Sequence, residues 1–397
     1  MGEIAQETLD ELTEGETDQG RALAPLTDNQ IEQAYANVSF RVIYQSNNYF
    51  LPQIRDLIKD DEVINLRPEY QRRLRWSNKK KSLLIESLLL NIPIPPVFLY
   101  ESDPARYEVM DGQQRLSAVY EYLESGFELT GLEKLEYLDG RRYNKLPPKL
   151  RRGLDRASIS AIVLLQETRS DEKDPYLVRR LVFERLNTGG QPLNAQEIRN
   201  SIFRGDFNDM IVKLAQDNTF CQIFNIPQYT ETDQSEYYEN PERRKNSLYK
   251  SMADCQIVLR FFALLDDEHI SGSMHKILDR CMERNQNPSK ELVEQYRKTF
   301  VKLIEACNEL FEGKAFLLPP DENGTRRVSI PLYDANMVAL YRRMGRLEEF
   351  VVKRAQIQAK VQELLAEQIE LLTGKANTAD SIKQRIAAIG SILDSLS

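Results

Sequence analysis

The feature that most restricts this fold is a change of pattern near residue 174. Between residues 62 and 166, short β-prone runs (Glu62 to Leu66, Pro96 to Tyr100, Tyr107 to Met110 and Ser158 to Leu165) alternate with amphipathic helical segments. After about Asp174 only helical periodicity remains. A chain that switches period in this way is neither a single sheet nor a single bundle. It predicts an α+β architecture, with a mixed α/β N-terminal domain followed by an all-helical C-terminal domain. The 397 residues leave room for two or three domains, each with its own core. The expected division is an acidic tail over 1–30, the mixed domain over 31–204 and the helical domain over 205–397.

Boundary signals sharpen this outline. Ser77 is placed to cap a helix whose Leu83, Leu84, Ser87, Leu88 and Asn91 recur at helical spacing, and Pro93, Pro95 and Pro96 end it. Asp174 and Pro175 form an N-cap and N1 pair opening a helix through Leu186, and Asn194 with Glu197 reads as a capping box. Helices are expected over Asn246 to Leu265, Lys290 to Phe311, Tyr333 to Met344, Glu348 to Leu372 and Ala379 to Leu396. The fourth offers Phe350, Val361, Leu364, Leu365, Ile369 and Leu372 either to the core or to a homo-oligomeric or partner contact.

Charge is unevenly spread. The chain is net −8, yet residues 65–204 hold 24 Lys and Arg against 19 Asp and Glu. Two clusters cause this: Arg72, Arg73, Arg75, Lys79, Lys80 and Lys81, then Arg141, Arg142, Lys145, Lys149, Arg151, Arg152 and Arg156. Such clusters fit phosphate binding, and Arg73, Arg75, Lys79, Lys80 and Lys81 are the candidate nucleic-acid contacts. A solvated helix face would carry the same charges. Residues 1–18 hold Glu3, Glu7, Asp10, Glu11, Glu14, Glu16 and Asp18 and no basic residue, as a solvated tail does, or an acidic mimic lying over a basic site.

Several chemistries are excluded. No run approaches the ~18 apolar residues of a membrane helix and the amino terminus is acidic, so a cytoplasmic protein with no membrane partner is expected. Only His269 and His275 are present, too few for an HNH-type or HD-type nuclease centre. Neither histidine has a second at helical ligand spacing, so Asp266 to His269 reads as a solvated helix end. Cys221, Cys255, Cys281 and Cys307 lie too far apart for a zinc knuckle and read as buried thiols.

Three segments require explanation. The first is Arg67-Pro68-Glu69-Tyr70-Gln71-Arg72, followed by Trp76, the single tryptophan. Pro68 biases Arg67 towards extended geometry and a loop that presents Gln71 and Arg72. The second is Tyr107 to Arg115, where a strand meets Asp111-Gly112-Gln113-Gln114-Arg115 and a helix follows. A helix N-terminus over a strand end favours an anion, Gly112 allows close approach, and Arg115 can fork onto phosphate. Asp111 fits beside phosphate only if it holds a divalent cation or orients water. An ordinary turn would show the same Asp-Gly. The third is Phe183 to Asn194, where Asn187, Thr188, Gly189 and Gly190 join two helices as a pocket wall or as a plain connection.

At these segments the chain resembles the N-terminal domain of GmrSD-type, modification-dependent restriction endonucleases. The resemblance covers about residues 52–205 and rests on Pro68-Glu69-Tyr70-Gln71-Arg72, Pro93-Ile94-Pro95-Pro96, Asp111-Gly112-Gln113-Gln114-Arg115 and Arg185-Leu186-Asn187-Thr188-Gly189-Gly190. It implies a ParB/sulfiredoxin-like fold and a bacterial defence context. It also implies a domain that binds or hydrolyses a nucleoside triphosphate with Mg²⁺ and helps to sense modified or invading DNA. On that reading Asp111, Gln114 and Arg115 are catalytic, with Asp111 on the metal. Tyr70, Gln71, Arg72, Gly112, Gln113, Asn187, Thr188 and Gly189 bind the nucleotide. Members of the family often carry an HNH domain, which a chain with two histidines cannot form, so a separate nuclease partner is expected to cleave. The expected protein is a nucleotide-dependent sensor or regulatory subunit of a restriction system. The alternatives are a non-catalytic DNA-binding adaptor and a metal-dependent DNA-nicking nuclease, the latter short of the carboxylates such sites gather.

Overall fold

The structure, a computed structural model, describes residues 27–36, 42–59, 63–66, 76–165, 177–186, 194–203, 205–230, 240–322, 324–373 and 378–396. These residues form two compact units, one within 18–193 and the other from 194 onward. The acidic run 3–18, the segment from Tyr70 to Arg75, the Asp174-Pro175 pair and Asn187 to Gly190 lie outside the described residues.

The first unit is mixed α/β. Its elements in chain order are α1 (Asp28–Ala36), β1 (Tyr44–Phe50), α2 (Leu51–Lys59), β2 (Ile64–Asn65), α3 (Asn78–Leu89), β3 (Val97–Asp103), β4 (Arg106–Asp111), α4 (Gln113–Leu123), α5 (Pro148–Arg156), β5 (Ser158–Leu164) and α6 (Leu177–Leu186). The strands make one sheet in the order β1-β5-β3-β4-β2. The pairs β1–β5 and β3–β4 are antiparallel, whereas β3–β5 and β2–β4 are parallel. Alternation along the strands sets the two faces. Ile159, Ala161 and Val163 of β5, with Val97, Leu99 and Val109, enter the main core, where α2, α3, α4 and α5 contribute Ile54, Ile85, Val119 and Leu154. On the opposite face Met110 and Leu164 form a small second core with Phe183 of α6.

The helix from Asn78 begins at the expected cap, with Ser77 Oγ accepting from the Lys80 N–H. Its buried stripe is Leu84, Ile85 and Leu88, flanked by buried Ser82 and Glu86, whereas Asn91 is exposed just beyond the helix. Glu86 is buried for a reason that its charge conceals. Its carboxylate accepts from the backbone N–H groups of Glu133, Lys134 and Leu135, at 2.7 Å from the last two. Burial pushes this carboxyl up, but the backbone donors outweigh it and hold the group below the usual glutamate range. The resulting stabilisation is complete above the unfolded-state value and is lost as pH falls through the lower folded value. Glu86→Ala strands those donors and is expected to cost about 3 kcal/mol, and Glu86→Gln about 1 kcal/mol, measured by urea unfolding.

The second unit is helical. Its elements are α7 (Ala195–Ile202), α8 (Asp206–Leu214), α9 (Asn218–Ile223), α10 (Pro241–Lys245), α11 (Ser247–Lys250), α12 (Ala253–Ala263), α13 (Met274–Arg284), α14 (Lys290–Leu310), α15 (Ile330–Tyr341), α16 (Leu347–Val352), α17 (Arg354–Glu367), α18 (Ile369–Leu372) and α19 (Ala379–Asp394). The predicted capping box is present: Asn194 Oδ1 accepts from Gln196 and Glu197 N–H, and Glu197 Oε2 accepts from Asn194 N–H. The helix expected over Asn246 to Leu265 is broken at Met252, whose φ is +56°. That expected over Glu348 to Leu372 is divided into α16, α17 and α18, with Phe350, Val361, Leu365 and Leu372 buried and Ile369 exposed. α12 and the first eleven residues of α15 are buried all round, as central helices are. All four cysteines are buried free thiols, and burial pushes Cys281 up to about 12. Asp267, within the Asp266 to His269 segment, is paired with Arg342. Among the described residues no helix is long and apolar enough to cross a membrane.

Candidate functional site

The site is built where β4 ends. Met110 is buried in the second core, Asp111 closes the strand, and Gly112 turns the chain into α4 with φ +93°. Only glycine fits there. An added Cβ would lie 2.5 Å from Val97 Cγ1, 2.9 Å from Val97 Cβ and 3.2 Å from Arg115 Nη2. Arg115, one turn into α4, folds back so that Nη2 donates to Asp111 Oδ2 at 2.6 Å and Nη1 donates to the Pro95 carbonyl at 2.6 Å. The guanidinium therefore ties the strand end, the helix and the proline run that enters β3 into one corner. Its side chain is 12% exposed against 37% for Asp111, so the carboxylate is the more accessible partner. Among the described residues Asp111 Oδ1 makes no hydrogen bond.

The two glutamines have a role that their residue type does not reveal. Gln113, buried, donates from Nε2 to the Leu66 carbonyl at 2.6 Å, and the Gln114 Oε1 accepts from the Trp76 N–H at 3.1 Å. Leu66 and Trp76 are the described residues on either side of Arg67 to Arg75. The start of α4 thus fixes both ends of the arginine-rich first segment. Leu66 follows β2, which is parallel to β4, so both strands deliver their carboxyl ends to this corner. The helix of the third segment arrives from the other face. Phe183 packs with Met110, Arg179 pairs with Glu108 of β4, and the Arg179 guanidinium lies 4.7 Å from the Tyr100 ring centre.

Leu66 and Trp76 on either side of the first segment, the second segment, Phe183 of the third and the proline run therefore meet around β4 and the start of α4. Asp111, Gly112, Gln113, Gln114 and Arg115 are placed. Tyr70, Gln71, Arg72, Arg73 and Arg75, with Asn187, Thr188 and Gly189, lie outside the described residues. Lys79, Lys80 and Lys81 open α3, each differently engaged. The Lys79 stem covers Gly131, Lys80 Nζ sits 4.6 Å from the Trp76 ring centre, and Lys81 Nζ is paired with Glu121 at 2.7 Å. Sequence reasoning missed the bonds to Pro95, Leu66 and Trp76, because their partners are main-chain groups that any residue supplies. Part of the second basic cluster falls on α5, where Lys149, Arg152 and Arg156 are exposed on one face and make no ion pair among the described residues.

As to metal, no group of three or more His, Cys, Asp or Glu is gathered among the described residues. Asp111 supplies a single carboxylate with one oxygen open, which suits a magnesium ion that arrives on phosphates and keeps most of its waters. It does not suit a two-metal nuclease centre.

A five-stranded mixed sheet with a strand–glycine–helix corner, clamped to the chain on both sides of it, defines a small α/β domain of motif-built type. Residues 54–204 match the family model of the GmrSD restriction endonuclease, N-terminal domain. No curated protein and no solved structure matches the chain.

Proposed function

We propose that this protein is a nucleotide-dependent regulatory subunit of a restriction system, which binds and hydrolyses a nucleoside triphosphate, engages DNA and leaves cleavage to a separate nuclease. The supporting observation is that the start of α4 holds Leu66 and Trp76, the described residues flanking the first segment, while Asp111 beside it presents an open oxygen at a helix N-terminus. Phosphates resting over that N-terminus would meet backbone N–H groups and the positive end of the helix dipole. Mg²⁺ carried by the nucleotide would neutralise phosphate charge, with Asp111 Oδ1 as its protein ligand or as the acceptor that orients the attacking water. Arg115 acts here chiefly by fixing Asp111, and Gln113 and Gln114 by fixing the roots of the segment that carries Arg72. The full-length protein with Mg²⁺ is expected to release phosphate from one of ATP, GTP, CTP or UTP, with or without DNA. Asp111→Asn, which can still accept from Arg115, is expected to lower that turnover by about tenfold or more. No release from any of the four would sink the enzymatic reading.

The unpaired basic face of α5 supports the DNA-engaging part. Reversing Lys149, Arg152 and Arg156 to glutamate together should weaken DNA binding for every sequence tested and reduce the slope of log affinity against log salt by about 2 to 3. Reversal of Lys81, already neutralised by Glu121, should matter less. Salt-dependent DNA binding without nucleotide turnover would leave the non-catalytic adaptor.

A further inference from the structure

Among the described residues no strand pairs with the outer edge of β1. The sheet ends in two unlike edges. β2 is only two residues long, a short edge of the kind that resists pairing. β1 runs seven residues, Tyr44-Gln45-Ser46-Asn47-Asn48-Tyr49-Phe50, with no charge, no proline and an unbroken register against β5. None of the devices that usually block an edge is present in it. Six of the eleven large apolar side chains that the described residues leave exposed cluster around this strand in sequence: Ile31, Tyr35, Val42, Ile43, Tyr44 and Phe50.

The parity of the backbone groups restricts how a second strand could join. The Leu165 N–H donates to the Ile43 carbonyl and the Leu51 N–H to the Ala157 carbonyl, so odd-numbered residues of this stretch face β5. The N–H and C=O groups of Ser46 and Asn48 therefore point to the open edge. In an antiparallel pair centred on Asn47, Ser46 of one strand lies opposite Asn48 of the other, and these are the outward-pointing residues. Each such pair exchanges two hydrogen bonds, and the two-fold axis makes two such pairs. The same register sets Tyr44, 63% exposed, opposite Phe50, 52% exposed, on one face at both ends. Backbone parity admits any register that sets even residues opposite even ones, and of these the one centred on Asn47 overlaps all seven residues and pairs both aromatic ends.

We propose that two copies of this chain associate through β1, antiparallel about a two-fold axis at Asn47, joining their sheets into one continuous sheet. The occupant of the edge is thus a second copy rather than a foreign peptide, because the strand complements itself without any change of register.

The test uses the full chain. Sedimentation at micromolar concentration should give about twice the chain mass of 46.1 kDa. Ser46→Pro removes an outward N–H and none of the bonds to β5, and Ser46→Lys adds charge to each edge; both should give monomers whose Trp76 fluorescence is unchanged. Asn47→Cys should form an inter-chain disulfide under mild oxidation, whereas Gln45→Cys, which faces Tyr49 of the second copy in this register, should not. The four native thiols are buried and give little background. A monomeric wild type overturns the proposal, as does a dimer that survives both Ser46 variants. A wild type that dimerises only after removal of residues 1–41 overturns it for the intact chain and assigns the edge to that segment.

Discussion

Gly112→Ala is expected to lower the stability of the mixed α/β unit by about 3 kcal/mol, from overpacking and a forced positive φ together, and to abolish nucleotide turnover. The Cβ would arrive 2.5 Å from Val97 Cγ1, an atom of the β3 core, and could move away only by shifting β4 or α4. Either movement separates Asp111 from Arg115, since their 2.6 Å bond spans this residue. It also shifts Gln113 and Gln114, and with them the anchors at Leu66 and Trp76. Trp76 is the single tryptophan, so its fluorescence during urea unfolding reports this unit. Removing the nearest clash with Val97→Ala in the same chain should restore about 1 kcal/mol, the coupling expected of two residues in contact. Turnover should return only in part, because φ stays at +93° and Val97 Cβ would still lie 2.9 Å away. Full stability of Gly112→Ala alone would show that the corner is loose and that the glycine serves close approach of a ligand only.

The same corner shows what a sequence can and cannot reveal. Local signals were readable: Ser77 as a cap, Asn194 with Glu197 as a capping box, and four of the five strands from their apolar alternation. β1 was not, because Tyr-Gln-Ser-Asn-Asn-Tyr-Phe has no apolar alternation and is held as a strand by backbone pairing to β5. The division of Glu348 to Leu372 was equally hidden, since all three pieces have helical composition and only packing places the breaks. Within the site, residue types single out Asp111, Gly112 and Arg115 as candidates. The resemblance implies Gln113 as a nucleotide contact and Gln114 as catalytic, and the structure adds a main-chain bond for each. Their partners at Leu66 and Trp76 are 47 and 38 residues away, and a main-chain carbonyl or N–H leaves no trace in sequence. Glu86 is a similar case: glutamate is mostly a surface residue, and the three donors that bury it here belong to a loop more than 45 residues on.

Asp334→Ala should be the most damaging single change in the helical unit, costing about 4 kcal/mol. Asp334 is fully buried on the central α15, where Arg260 of α12 donates from Nε to Oδ1 at 2.9 Å and from Nη2 to Oδ2, and Arg385 Nη2 of α19 lies 3.8 Å from Oδ2. One carboxylate thus faces two guanidinium groups in the interior. Without it the buried Arg260 loses both bonds to the carboxylate and two like charges stay close together, so the cost is that of an uncompensated ion rather than of a lost bond. The contrast with Asp279 tests this account. Burial alone would push Asp279 up, but the bonds from His275 and Arg199 hold it at about 2, and His275 is 30% exposed, so water reaches the group. Asp279→Ala should therefore cost less, about 2 kcal/mol. Its contribution is present above the usual aspartate range and is lost only as pH falls towards 2. Both losses should appear in urea unfolding followed by far-UV circular dichroism. Replacing Asp334, Arg260 and Arg385 together by apolar residues of similar volume should recover most of the loss, as expected if the triad's worth lies in mutual neutralisation. Failure to recover would locate its value in fixing how α12, α15 and α19 pack.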